Sequence, residues 1–328
     1  MRLLRTLLVF LTAVAIFGLG APVRAVSLTD SANVKLRGQP VEFRGDIVGS
    51  EDISGVAIVG DLLVIVSDEV KDPTLVHVMK KEGMAYRVIA DVEVPGDGEI
   101  DLEAVAADAN MVYVTGSHAW TRKIKDGAID VPQRKKSREQ FFRFRLDANG
   151  NPGTVEGPKS LRSAIKAHPV LNGFLEIASK ENGIDIEGLA VKDGRLYFGF
   201  RGPVLRDGWV PILVTTWDDP ESADVIYVQL DGRGIRDITA VKDGFLILAG
   251  PLGDGDFSYR VYFWNGFDQL SASTGAAKPQ RIAEFSDLGD AKPEGLAVLD
   301  AQGKKYQVLV VCDGLPKGGA TRWRLSRP

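Results

Sequence analysis

The chain has 328 residues, 26% of them charged, with 44 acidic against 40 basic side chains, a formal net charge of −4 and three histidines. That balance shows no electrostatic footprint of a nucleic-acid binder, and three histidines argue against a histidine-rich metal centre. The single cysteine, Cys312, excludes an intrachain disulfide, so the fold must be held by its core or by a metal.

Arg2 and Arg5 precede an apolar run from Leu7 to Leu19, and the stretch Ala21 to Ala25 ends in the small residues a signal peptidase reads. The run is too short to span a bilayer comfortably, and Pro22 closes it. We therefore expect a signal peptide over residues 1–25 and a mature chain, 26–328, free in the periplasm or the medium. No cysteine near the cut could carry a lipid, no later stretch is apolar enough to cross a membrane, and a monomer without membrane or nucleic-acid partners is expected.

Beyond the leader, short runs rich in Val, Ile, Leu, Tyr and Phe alternate with Gly, Asp, Asn and Pro turns, an all-β pattern. Trp120 to Arg138 is polar, carries Arg134-Lys135-Lys136 and lacks an apolar period, which predicts a long exposed basic loop near 120–138. Ser160 to His168, resumed after Pro169 up to Ser179, carries Leu161, Ile165, Leu171 and Leu175 at helical spacing, which predicts a helical insertion near 160–179. Cys312, within Val308 to Val311 and its neighbours, reads as a buried strand residue.

Five stretches repeat. Gly183-Ile184-Asp185-Ile186-Glu187-Gly188-Leu189-Ala190 is matched by Asp52 to Ala57, Asp101 to Ala106, Arg236 to Val241 and Pro293 to Val298. Aligning their shared Ala makes Ser54, Glu103, Glu187, Asp237 and Glu294 equivalent, at spacings of 49, 84, 50 and 57 residues. Three of these spacings suit one four-stranded propeller blade, and the long one contains both the basic loop and the helical insertion. After Glu294 only three strands remain, Gly295 to Leu299, Tyr306 to Cys312 and Thr321 to Leu325. The unassigned strand Pro40 to Arg44 supplies the fourth. The prediction is a five-bladed β-propeller with its last blade closed by an N-terminal strand; the rival is a sixth blade between His118 and Gly183.

In a propeller the first strand of each blade lines the axis, so the five equivalent residues form a ring. Four carboxylates and a serine around one hole repel one another unless a cation neutralises them. Oxygen donors without sulfur or imidazole favour a hard ion, and calcium tolerates irregular geometry, so one central calcium held by Ser54, Glu103, Glu187, Asp237 and Glu294 is expected. The competing reading has these side chains accept backbone hydrogen bonds between blades.

The Asp-x-Glu-Gly-Leu-Ala pattern at Asp185 to Ala190 resembles the exported bacterial propellers grouped as a domain of unknown function, alongside the esterase-like phytase propellers. The ring Ser54, Glu103, Glu187 and Glu294 is more distantly similar to the calcium-activated nucleotidases, five-bladed apyrases in which Ser or Glu from each blade surrounds a central calcium; Asp237 departs in length. These resemblances imply a calcium-dependent phosphoester hydrolase, phytase-like or nucleotidase-like.

Loops on the ring's face supply Asp68 and Glu69, Ser117 and His118, Arg201 and Arg206, Asp254 and Asp256, Asp313 and Lys317. For phosphoester hydrolysis the cation polarises a phosphoryl oxygen, Arg201 and Arg206 bind a small anionic ligand, and His118 or Asp68 moves a proton. Two other functions remain open. A glycoside hydrolase would pair carboxylates among Glu103, Glu187 and Glu294 with Trp120, Trp209 or Trp217 as sugar platforms. A non-catalytic binding scaffold needs only the disc and the 120–138 loop.

Overall fold

A computed structural model describes residues 27–30, 35–70, 73–96, 98–125, 128–253, 258–270, 275 and 277–327. The expected signal peptide, residues 1–25, lies outside them, as do Asp254 and Asp256. Strands run where apolar residues are densest, and turn residues separate them. Asp193 and Gly194, for instance, reverse the chain between Asp185–Lys192 and Arg195–Gly202 at φ of 52° and 74°, a conformation Gly and Asp tolerate.

Five antiparallel sheets follow one another in chain order. Blade one is Ile53–Val59, Leu62–Ser67, Thr74–Glu82 and Ala85–Val94; blade two is Leu102–Asp108, Met111–Gly116, Phe141–Arg145 and Glu156–Lys159. Blade three is Asp185–Lys192, Arg195–Gly202, Trp209–Thr215 and Asp224–Gln229; blade four is Gly234–Val241, Gly244–Gly250, Arg260–Trp264 and Gln280–Ser286. Blade five begins with Lys292–Gln302, Lys305–Asp313 and Thr321–Ser326. The stretch 118–183 holds no sixth blade, because its two longer strands complete blade two.

Each gap between neighbouring blades has its own apolar core, so the ring is held by five similar interfaces. Val64, Val66 and Val78 of blade one meet Val112, Val114 and Phe142 of blade two. Leu246, Leu248 and Val261 of blade four meet Val308, Val310 and Trp323 of blade five. Cys312 is buried in the latter interface, and burial pushes its thiol up to about 12, which leaves it an inert packing residue.

The N-terminal segment closes the ring by more than one contact. Gln39–Pro40 pairs antiparallel with Thr321 and Arg322, and the Val41 N–H donates to Ala320 O at 2.8 Å, completing blade five. The expected strand Pro40 to Arg44 is nevertheless split. Glu42–Arg44 crosses to blade one and runs parallel to Ala85–Arg87, while Ser27–Asp30 pairs with the outer strand of blade four and Lys35–Arg37 lies outside it. One segment thus covers the open edges of three sheets.

The helical insertion is shorter than expected: a helix over Arg162–Ala167, then 3-10 turns over Leu171–Phe174 and Ser179–Glu181. Leu161, Ile165, Leu171 and Leu175 are buried in the core between blades two and three, as their spacing required. The basic stretch 120–138 departs from a plain exposed loop. Trp120–Thr121 pairs with Gln133–Arg134 and Ile124–Lys125 with Ala128–Ile129, forming a ribbon. Its base is tied down because Arg134 and Arg162 both donate to the buried Glu139, at 2.8 and 2.6 Å.

A Cβ on Gly38 would stand 2.5 Å from the Trp323 ring, which is itself buried and set edge-on against Phe285. Gly38→Val should force the closing strand off blade five and destabilise the protein by about 1–3 kcal/mol. Gly173→Ala, which meets nothing within 4 Å, should shift stability by less than about 0.5 kcal/mol. Chemical denaturation of the two variants checks the comparison.

Candidate functional site

The repeated motif has one structural consequence in every blade. The ladder between the first and second strands skips a residue at Ser54, Glu103, Glu187, Arg236 and Glu294. A β-bulge there re-aims the skipped side chain, which is how such irregularities serve active sites. Blade four contributes Arg236 at this position, where alignment on the shared Ala had put Asp237. The residue after the bulge faces the next blade closely: a Cβ on Gly188 would lie 3.0 Å from Ile238 Cγ2, and one on Gly295 3.1 Å from Val56 N.

Asp237 occupies that small-residue slot and uses its carboxylate differently. Oδ1 accepts from Ile238 N–H and Oδ2 from Leu296 N–H, both at 2.7 Å, stitching blade four to blade five. Ser54 is likewise committed, since its hydroxyl donates to Leu102 O of blade two at 2.6 Å. These two expected metal ligands therefore serve as staples between blades, because each finds a backbone partner nearer than the axis.

Glu103, Glu187 and Glu294 do face a common cavity of about 1130 Å³ at the end of the ring where the first strands begin. Asp52, Asp101 and Asp185, each two residues before a bulge, line it too, with Asp68 and Asp313 from the ends of second strands. Three arginines each span two of the acids. Arg138 Nη1 lies 2.7 Å from Asp101 and its Nη2 binds Glu99. Arg201 Nη1 lies 2.7 Å from Glu187 Oε1 and its Nη2 binds Asp185. Arg236 Nη1 reaches Glu187 Oε2 at 2.9 Å and Glu294 Oε1 at 2.6 Å.

Glu103 has no such bridge. It is 9% exposed, and among the described residues no hydrogen-bond or ion-pair partner engages its carboxylate. Burial, then the neighbouring Glu187, Asp101, Asp68 and Asp185, pushes its carboxyl well above the usual range. Asp68 is raised to about 8 by burial and by Asp101, Glu294 and Asp313, Glu294 to about 8 chiefly by burial, and Asp185 to about 7 by burial against the pull of Arg201. Glu103, Asp185 and Glu187 each offer a carboxylate oxygen, all within 4.8 Å of one another, a spacing that suits one hard cation set off the axis on the side of blades two and three.

The other expected site residues divide. Arg201 stands in the cavity wall with both terminal nitrogens engaged by carboxylates. Arg206 is 95% exposed in a surface turn and does not line the cavity, so it cannot share a ligand with Arg201. His118 is buried, its Nδ1 3.0 Å from Gly116 O and its Nε2 accepting from Leu161 N–H, and desolvation holds its pKa down to about 4. Both ring nitrogens are spent on holding the insertion, which removes it as a proton carrier. Lys317 donates to Phe43 O and Gly45 O of the closing segment. None of Trp120, Trp209 and Trp217 lines the cavity, and Trp217 is buried beneath Arg143 and Lys159.

Sequence reasoning missed Arg138 and Arg236. Nothing in the polar 120–138 stretch marks Arg138. Arg236 was findable: aligning the apolar Ile235 and Ile238 with Ile186 and Leu189, instead of matching Ala, brings it onto Glu187.

Residues 52–150 and 151–322 match the family described as "Protein of unknown function (DUF3616)". No curated protein matches the chain. Among solved structures, a protein from Lactobacillus plantarum aligns with 92% of this chain and 99% of its own at 10% identity and a TM-score of 0.36. A GH43 protein of a Bacteroides ovatus xyloglucan locus aligns with 86% of this chain and 53% of its own at 12% identity and 0.47. A hypothetical protein from Leishmania major aligns over 90% and 92%, at 11% and 0.43.

Two measurements test these roles. Asp237→Ala orphans two buried amides and should cost about 2–4 kcal/mol while leaving cation binding intact. Between about pH 4 and 8 folded Asp68 keeps a proton that the unfolded chain, titrating near 3.9, has lost, so stability must fall as pH rises through that window. Metal-free wild type should therefore lose melting temperature from pH 6 to pH 8, and Asp68→Asn should lose less.

Proposed function

Because the chain belongs to the DUF3616 family, described as of unknown function, its activity has to be argued from the cavity, and we propose that it is a hard-divalent-cation site that binds a phosphoester and hydrolyses it. The observation that carries this reading is the Glu103 carboxylate, without an ion-pair partner among the described residues, beside Asp185 and Glu187, which share Arg201. A cation there, calcium first by its tolerance of irregular oxygen donors, supplies the missing charge.

Glu103, Asp185 and Glu187 would hold the cation, which would supply the charge that polarises a phosphoryl oxygen. Asp68, its carboxyl raised to about 8 by burial and its acidic neighbours, is suited to give its proton to the leaving oxygen as water attacks phosphorus and the ester P–O bond breaks, the water's proton passing back to the Asp68 carboxylate. Arg201, Arg236 and Arg138 bridge and orient the surrounding carboxylates, a holding role in place of a direct grip on the substrate. The phytase-like or nucleotidase-like assignment suggested by the sequence remains part of this proposal, as does export to the periplasm or medium. The glycoside-hydrolase alternative loses support, since none of the three expected tryptophan platforms borders the cavity.

A ligand at a hundred times its Kd that binds only the native state stabilises it by about 2.7 kcal/mol. Calcium should raise the melting temperature and a chelator should reverse the rise. Glu103→Gln should raise that of the metal-free protein, having removed a buried unpaired acid, and abolish the calcium response. A wild-type melting curve indifferent to calcium and chelator sinks the cation reading; a calcium-loaded protein that turns over no ester in a phosphoester screen sinks the hydrolase.

A further inference from the structure

The long interval between the second and third ring positions adds two segments that a plain blade lacks, and both reach the cavity rim at one place. Thr121 and Arg122 come from the base of the ribbon, and Ala178, Ser179, Lys180 and Glu181 from the last turn of the insertion. They are built as one wall. Trp120 bridges Ala178, and Arg122 Nη2 lies 2.5 Å from Glu181 Oε1. Asn182, in the left-handed conformation at φ 68°, clamps the turn to blade three by accepting from Val204 N–H at 2.7 Å and donating to Val204 O at 3.1 Å.

This wall differs in charge from the floor. On the floor each arginine is spent between two carboxylates. On the rim, Glu181 engages one nitrogen of a guanidinium that has five donor hydrogens, and among the described residues the exposed Lys180 ammonium makes no ion pair. The opposite side of the mouth carries Asp52, Asp68, Glu69, Asp290 and Asp313 with Lys292 as the basic residue among them. A ligand lying across the cavity therefore meets unspent positive charge on the insertion side alone, on a wall whose position is fixed before binding.

We propose that Arg122 and Lys180 form a second anion subsite, so that the preferred ligand is a phosphoester carrying a further anionic group, its phosphoryl end toward the Glu103–Asp185–Glu187 cation and its other anion against the rim. This rests on the phosphoester reading of the floor and adds the substrate's second charge to it. Glycerol 3-phosphate and 3-phosphoglycerate are close in size and differ by one carboxylate, which makes them the probes.

Calorimetry on the calcium-loaded protein should show 3-phosphoglycerate binding about tenfold more tightly than glycerol 3-phosphate. Lys180→Ala and Arg122→Gln should each remove most of that preference, with calcium affinity and glycerol 3-phosphate affinity changed less than about twofold, and Lys180→Arg should retain it. No preference in the wild type, or a preference that survives in both variants, overturns the subsite. Failure of the protein to bind either probe overturns it together with the phosphoester reading, whereas a separate calcium titration reports on the cation alone. A preference that persists without calcium and vanishes in Lys180→Ala upholds the subsite even if the cation reading fails.

Discussion

Carboxylates gathered in one cavity and largely buried repel each other, and each that ionises there is stabilised by a positive charge within a few ångströms. That constraint organises the mouth of this propeller. Arg138 comes from the ribbon, Arg201 from a second strand and Arg236 from a bulge in a first strand, so three unrelated parts of the chain deliver guanidinium groups to one cluster. Each spans two acids, and Glu187 is held by two arginines at once. The pairing stops short of Glu103 and Asp68, and the chemistry proposed for the cavity begins at that shortfall.

The bulge is the device that allows such charge density on a strand otherwise buried on both sides. In four of the five blades it turns a side chain, Glu103, Glu187, Arg236 or Glu294, into the cavity, and it leaves the next residue pressed against the neighbouring blade, where Gly188 and Gly295 leave room for Ile238 and Val56. Asp237 shows the alternative solution for the same slot, filling it with a carboxylate that bonds the neighbour's backbone. The ring's geometry and the ring's cohesion are thus set by adjacent residues of one motif.

The architecture was legible in the sequence because blade length and strand pattern are local properties repeated five times, and because the missing outer strand could be counted. The site was legible only in part. Glu103, Glu187 and Glu294 stand where the repeat put them, since their bulges share one frame. Asp237 and Arg236 exchanged places because a single Ala match outweighed the apolar residues that set the frame. His118 and Arg206 looked equivalent to Asp68 and Arg201 as residues near strand ends. Nothing in sequence tells that a loop histidine will find two backbone partners, or that a tight turn will leave its arginine in solvent. Arg138 was hidden because its role depends on the ribbon folding back, a contact 37 residues from Asp101.

The closing segment also fixes an order of events. Residues 27–44 precede every blade in the chain, yet their partners include Ala283–Ser286 and Thr321–Arg322, near its other end. As the polypeptide lengthens, Glu42–Arg44 can pair with blade one early, whereas Ser27–Asp30 must wait for the outer strand of blade four and Gln39–Pro40 for the last strand of blade five. Ring completion is therefore a contact of very long sequence separation, the kind that closes slowly and leaves strand edges open to neighbouring chains in the meantime. A chain interrupted before its final blade would therefore leave Gln39–Pro40 without a partner and the blade-four side of the core around Trp323 uncovered.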